Sequence, residues 1–112
     1  PRTPLALVAK ILAIVGDLML ASRVEESLRA AGHEVSIAPA LPDPLEADAI
    51  VCDLDGADMD ALAATPIPVL GFYSHIDVET KKSAEAAGIT QAVPRSRMAR
   101  ELPTLVSKLL EG

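Results

Sequence analysis

Tryptophan is missing from this sequence, and Phe72 and Tyr73 are its only aromatic residues. A core must therefore be built from Leu, Val, Ile and Ala, and little is left on which nucleobases or sugars could stack. Positive charge is also in short supply. The formal net charge of −6 argues against nonspecific binding to nucleic acid or to an anionic membrane surface. With one cysteine, Cys52, no intramolecular disulfide can form, and His33 and His75 lie too far from it and from each other for zinc spacing. A reducing, cytoplasmic setting is the expectation. Long hydrophobic runs are absent. The stretch from Leu5 to Val15 is interrupted by Lys10, falls short of a membrane span and feeds directly into periodic sequence without a signal-peptide cleavage site. Glycine is sparse where phosphate loops need it. Gly16 stands alone after the first apolar run, so no dinucleotide fingerprint is present, and no nucleophile elbow surrounds Ser74.

What remains is a chain of 112 residues, half of them apolar, sized for one domain with a real core. Residues 1–9, opening on Pro1 to Pro4, read as a flexible lead-in, and 10–112 as a single domain. The stretch Asp48-Ala49-Ile50-Val51-Cys52-Asp53-Leu54-Asp55-Gly56 organises the rest. Its four consecutive apolar residues are too few for a helix and suit a strand buried on both faces, ending on a carboxylate.

Before it, Lys10 to Val15 reads as a first strand. Leu20, Val24, Leu28 and Ala31 then form one stripe of an amphipathic helix with Gly32 as its C′ residue. His33 to Ala38 alternates like a strand near a sheet edge. Prolines 39, 42 and 44 leave room for at most one helical turn, from Asp43 to Ala47 with Pro44 at N1. After the organising stretch come a short helix from Asp58 to Ala64, a fourth strand from Val69 to Tyr73, and a helix capped by Asp77 or Thr80 that closes at Gly88. Ile89 to Val93 is a weak fifth strand. The last helix carries the stripe Leu102, Leu105, Val106, Leu109 and Leu110, with Pro103 in its first turn or at a break. Alternating strands and helices joined by short links imply an α/β fold: a doubly wound, five-stranded parallel sheet of flavodoxin-like type, (βα)5, with strand order 2-1-3-4-5 and shortened second and third helices.

In such sheets ligands bind at the carboxyl ends of the strands. That edge collects Asp17, Asp53, Asp55, Tyr73, Ser74 and Arg95. Carboxylates from adjacent strands suit a hard divalent cation such as Mg²⁺, and a carboxylate can attack phosphorus when cations offset the charge on the transferring oxygens. The run Asp53 to Asp60 also invites a calcium-loop reading, but its glycine is misplaced and no glutamate closes a twelve-residue loop.

The chain resembles the receiver domains of bacterial response regulators, CheY-like proteins. The resemblance runs from Lys10 to Leu110 and is carried by Ile11-Leu12-Ala13-Ile14-Val15-Gly16-Asp17, Ala49-Ile50-Val51-Cys52-Asp53-Leu54, Ile67-Pro68-Val69-Leu70, Ala84-Glu85-Ala86-Ala87-Gly88-Ile89 and Val93-Pro94-Arg95. It implies that Asp53 is the phosphoacceptor, that Asp17, Asp53 and Asp55 are the candidate Mg²⁺ ligands, and that Tyr73, Ser74 and Arg95 are the candidate phosphoryl contacts. Three positions depart from the family pattern. Gly16-Asp17 replaces an acidic pair, Tyr73 stands at the Thr/Ser position with Ser74 next to it, and Arg95 follows Pro94 where the family has a lysine before a proline. Arginine keeps the charge but not the compact ammonium geometry.

The resulting expectation is a divergent or pseudo-receiver, not an enzyme, that signals by binding a partner protein: a histidine kinase or an output domain. Its edge would be fixed by direct contacts such as an Asp53–Arg95 ion pair. The alternative is an active phosphoacceptor. A flavodoxin-like ligand-binding or enzyme domain ranks lower. Lys81-Lys82 and Arg95-Arg97-Arg100 are either solvated faces or a docking patch beside the fourth and fifth helices, through which receivers form homodimers.

Overall fold

The computed structural model describes residues 9–42, 45–55, 57–74 and 78–111. In order they form β1 (Lys10–Ile14), α1 (Leu18–Ala30), β2 (Glu34–Ile37), β3 (Ala49–Asp53), α2 (Met59–Ala63), β4 (Val69–Tyr73), α3 (Val78–Ala87), β5 (Gln91–Pro94) and α4 (Arg95–Glu111). The five strands make one sheet in the order β2-β1-β3-β4-β5, and every pairing is parallel. Among the described residues no helix is long and apolar enough to cross a membrane.

Burial along each strand follows its place in the sheet. β4 is buried throughout and β3 everywhere but Asp53, because both are central and covered on two sides, whereas β2 at the edge buries only Val35. Alternation sends Ile11, Ala13, Val51 and Phe72 to a face packed by α1 and α4 through Val24, Leu28, Leu105 and Val106. Leu12, Ile50, Cys52 and Tyr73 go to the opposite face, beneath α2 and α3.

The two helices expected to end at glycine do so by one device. Gly32 and Gly88 have φ of +96° and +98°. His33 N–H reaches Leu28 O at 3.0 Å and Gly32 N–H reaches Arg29 O at 2.9 Å, which closes the last turn of α1. At the end of α3, Ile89 N–H bonds Ala84 O and Gly88 N–H bonds Glu85 O, at 3.0 and 3.2 Å.

Three details differ from the sequence-based expectation. The helix between the second and third strands is not merely shortened: none of the described residues linking β2 to β3 is helical, while Asp43 and Pro44 lie outside the described residues. Ala38, Leu41, Leu45 and Ala47 pack on the sheet in its place. The thinner cover leaves a cavity of ≈ 330 Å³ lined by Ile14, Leu41, Cys52 and Leu62, among others. The chain therefore has four helices among the described residues, and those expected as fourth and fifth are α3 and α4. Secondly, α4 starts at Arg95, directly after β5 and well ahead of the Leu102–Leu110 stripe; of the two places expected for Pro103 it takes the break, which falls at Glu101 (φ −120°, ψ 15°). Pro103 cannot donate an amide to the Ala99 carbonyl, and the break just before it relieves the ring's clash there. Thirdly, only residues 1–8 of the expected lead-in lie outside the described residues. Ala9 is in the core, and its N–H donates to His33 Nδ1 at 3.1 Å.

Candidate functional site at the carboxyl edge of the sheet

Asp17 follows β1 and caps α1. Its Oδ1 accepts the amides of Met19 and Leu20 at 3.0 and 3.2 Å. Asp53 ends β3, opposite Phe72 of β4, and is half-buried. Its Oδ1 accepts the Asp55 amide at 2.9 Å, a local turn that brings Asp55 back towards β4. There Asp55 Oδ2 accepts both the N–H and the hydroxyl of Ser74, at 3.2 and 2.5 Å. Arg95, first residue of α4, reaches across to Asp17, with Nη2 3.5 Å from Oδ2.

The edge thus gathers five of the six residues expected there. Tyr73 is the exception: alternation along β4 turns its ring into the core on the α2–α3 face, where it is 4% exposed, and Ser74 supplies the hydroxyl at the edge. The expected Asp53–Arg95 ion pair does not form, because the guanidinium, carried on the first turn of α4, pairs with Asp17 instead. The other arginines of that basic group are also engaged, Arg97 and Arg100 both on Glu101 at 3.4 Å. Lys81 and Lys82 remain exposed on α3. His75, Gly56 and the proposed cap Asp77 lie outside the described residues. Asp58 serves as the N-cap of α2, with Oδ1 3.1 Å from the Ala61 amide.

Opposite fields act on the two neighbouring carboxyls. Asp17 is held below its ordinary value of 3.8, chiefly by the Leu20 amide, against slight desolvation and with further help from the Met19 amide and Arg95. Asp53 is pushed above that value, first by burial; the Asp55 amide and Arg95 oppose the shift, and the charges of Asp55 and Asp17 add to it. Beside it, burial and then the Asp53 charge push the Cys52 thiol up to about 12, so it is an inert core group.

A raised folded-state pKa means that ionised Asp53 costs stability. The cost appears as pH rises through the unfolded-state value and is complete above the folded one. Asp53→Asn should therefore stabilise the fold at pH 7, by less than about 1 kcal/mol because solvent screens a half-exposed group. The gain should vanish at pH 3. Paired urea titrations of the two proteins at each pH would show it, and a destabilised variant at pH 7 would contradict the assignment.

For Mg²⁺ the donor set is a poor fit as arranged. Among the described residues no group of three or more His, Cys, Asp or Glu side chains is placed to hold a metal ion. The edge acids instead accept hydrogen bonds from protein donors, and the nearest cation belongs to the chain itself.

Two features of the site went unread in the sequence. Leu18 and Met19, at the start of α1 beside Asp17, are 83% and 76% exposed. Their position just ahead of the Leu20–Val24–Leu28 stripe was the signal. A cleft of ≈ 510 Å³ opens there between α1 and α4, lined by Met19, Arg23, Ser74, Arg95 and Ser96 among others. Gly71, behind the site, accepts the Leu54 side chain so closely that no Cβ would fit.

No family model matches the sequence, and no curated protein does. Solved structures do match. A putative response regulator from Chloroflexus aurantiacus superposes with a TM-score of 0.79 at 24% identity, over 93% of this chain and 98% of that one. The receiver domain of the Francisella response regulator 1452 gives 0.77 at 20% identity, over 92% and 97%. NtrX from Brucella abortus gives 0.78 at 22% identity; the match covers 93% of this chain but only 26% of NtrX. The chain has the fold of the response-regulator receiver domains.

Proposed function

We propose that this chain is a degenerate receiver: a signalling module, not an enzyme, that works in the cytoplasm by binding a partner protein without needing phosphorylation of Asp53. The observation that carries this reading is the closed network at the strand ends. Arg95 and Ser74, the two groups that would meet an incoming phosphoryl, are already committed to Asp17 and Asp55. To accept phosphate the site would have to break both contacts. Leu18 and Met19, exposed on the same edge, offer apolar surface to a partner such as a histidine kinase or an output domain. The face of α3 and α4 is the proposed homodimer surface, with Lys81 and Lys82 as its free charges.

The rival reading, an active phosphoacceptor, draws on one feature. Asp53 Oδ2 accepts no hydrogen bond among the described residues, which leaves one oxygen for attack. Incubation with Mg²⁺ and acetyl phosphate, followed by intact mass, separates the two. A degenerate receiver gives no phosphoryl-sized gain. A gain that disappears in Asp53→Asn would establish the phosphoacceptor instead.

A further inference from the structure

The two faces of the sheet are covered unequally. Beneath α1 and α4, Leu110 is the one partly buried apolar side chain packed against the core cluster among the described residues. On the α2–α3 face Ile14, Leu41, Leu45, Met59 and Ile67, with several alanines, are left partly buried. The cause lies in the link from β2 to β3, none of whose described residues is helical. Beside that link is the cavity of ≈ 330 Å³. Ile14 and Cys52, partners in register at the carboxyl ends of β1 and β3, line it together with Ala40 and Leu41 of the link and Ala61 and Leu62 of α2.

Its walls offer little to a polar guest. Cys52 and Asp58 are the only polar side chains among the described lining residues. The thiol is 3.3 Å from Asp53 O, and Asp58 Oδ1 is taken by the Ala61 amide. An ionised Asp58 has nothing to donate and repels anions, and a water needs about two to four polar partners to settle. Size argues against a docked helix. A helix is about 10–12 Å across and rises about 5.4 Å per turn, so one turn occupies about 400–600 Å³, more than the cavity holds.

We propose that this cavity is a binding site for a small, uncharged, apolar molecule of one or two rings, which covers the sheet where the β2–β3 link supplies no helix. Its volume is about twice that of a ~150 Å³ cavity that takes benzene, and lies within the ~300–1,000 Å³ range of ligand pockets. Such a guest gives Ile14, Leu41, Cys52 and Leu62 the contacts that an empty space withholds. The site also adjoins the acidic edge. Cys52 precedes Asp53, and the amide of Ala57, another lining residue, bonds Leu54 O at 3.1 Å across the turn that carries Asp55. The inference goes beyond the degenerate-receiver reading and stands on how the sheet is covered, not on the fate of Asp53.

Indole is the probe: two fused rings, no charge and a single N–H. Titrated into the isotope-labelled chain and followed by amide NMR shifts, it should saturate with a dissociation constant on the order of 1 mM. The shifts should centre on Cys52, Ala57, Ala61 and Leu62. Indole-3-acetate, whose carboxylate would be drawn from water beside Asp58, should bind at least about tenfold more weakly. Ala61→Leu fills the space from α2 and should also weaken indole at least about tenfold. Ala40→Leu, made at an exposed position of the link, should do the same and carries the test if Ala61→Leu does not fold, which circular dichroism reports. Shifts that do not saturate would overturn the proposal, as would shifts centred on Leu18 and Met19, or wild-type affinity in the filled variants. Equal binding of indole-3-acetate would overturn the uncharged class. A chain that binds indole and also gains a phosphoryl group on Asp53 sinks the degenerate receiver and leaves this site standing.

Discussion

Truncating Phe72 to alanine should cost about 3–5 kcal/mol, a large share of the roughly 5–15 kcal/mol that holds a domain of this size together. Phe72 is 1% exposed and is the largest of the fully buried side chains. It lies in the cluster packed by α1 and α4, whose other members are aliphatic side chains and Met98. With so few aromatics in the chain, no second ring can swing into the space. The neighbours on β3 and β5, Val51 and Val93, are β-branched and stiff at χ1, so collapse around the hole is restricted. The loss should reach the site as well, because Phe72 faces Asp53 in register and its carbonyl accepts the Leu54 amide at 2.8 Å. Urea unfolding followed by circular dichroism would measure the change. A loss below about 1.5 kcal/mol would mean that the core closes over the gap after all.

Local chemistry explains which parts of this fold could be read from sequence. The strand Ala49–Asp53 was legible because a short apolar run stopped on a carboxylate, and a strand buried on both faces has few other ways to be written. Gly32 and Gly88 were legible because helix ends of this kind require positive φ, which glycine adopts without strain. Three prolines foretold a weak link between β2 and β3, but they could not say that Leu41 and Leu45 would cover the sheet without a helix. That outcome depends on the sheet face they meet. At the site, the residue types were legible and the pairings were not. Asp17 and Arg95 are 78 positions apart. Which acid receives the guanidinium is settled by α4 starting at Arg95, whereas the apolar stripe is strongest beyond Leu102. Tyr73 shows the opposite case. Period-two alternation already separates its ring from that of Phe72, but with both faces of β4 buried, polarity gives no clue to which of them points where.

Gly71→Ala tests whether the acidic edge is held from behind. A Cβ at Gly71 would lie 2.6 Å from Leu54 Cδ1 and 2.7 Å from both Cγ and Cδ2. Those distances are far inside van der Waals contact, so the Leu54 side chain, buried at 2% exposure among the α2–α3 face of the core, has to shift to make room. Overpacking of this kind costs about 1–3 kcal/mol. Leu54 is also the residue that joins Asp53 to Asp55. Pushing it outward strains the turn closed by the Asp55 amide on Asp53 and pulls Asp55 away from Ser74. The variant should therefore lose stability and loosen the edge together. A double-mutant cycle with Leu54→Ala isolates the cause. In that background the space at Gly71 is free, so the added methyl should cost little or even stabilise by refilling the cavity, a coupling of at least about 1 kcal/mol. If Gly71→Ala costs the same in both backgrounds, the clash with Leu54 is not what demands glycine there.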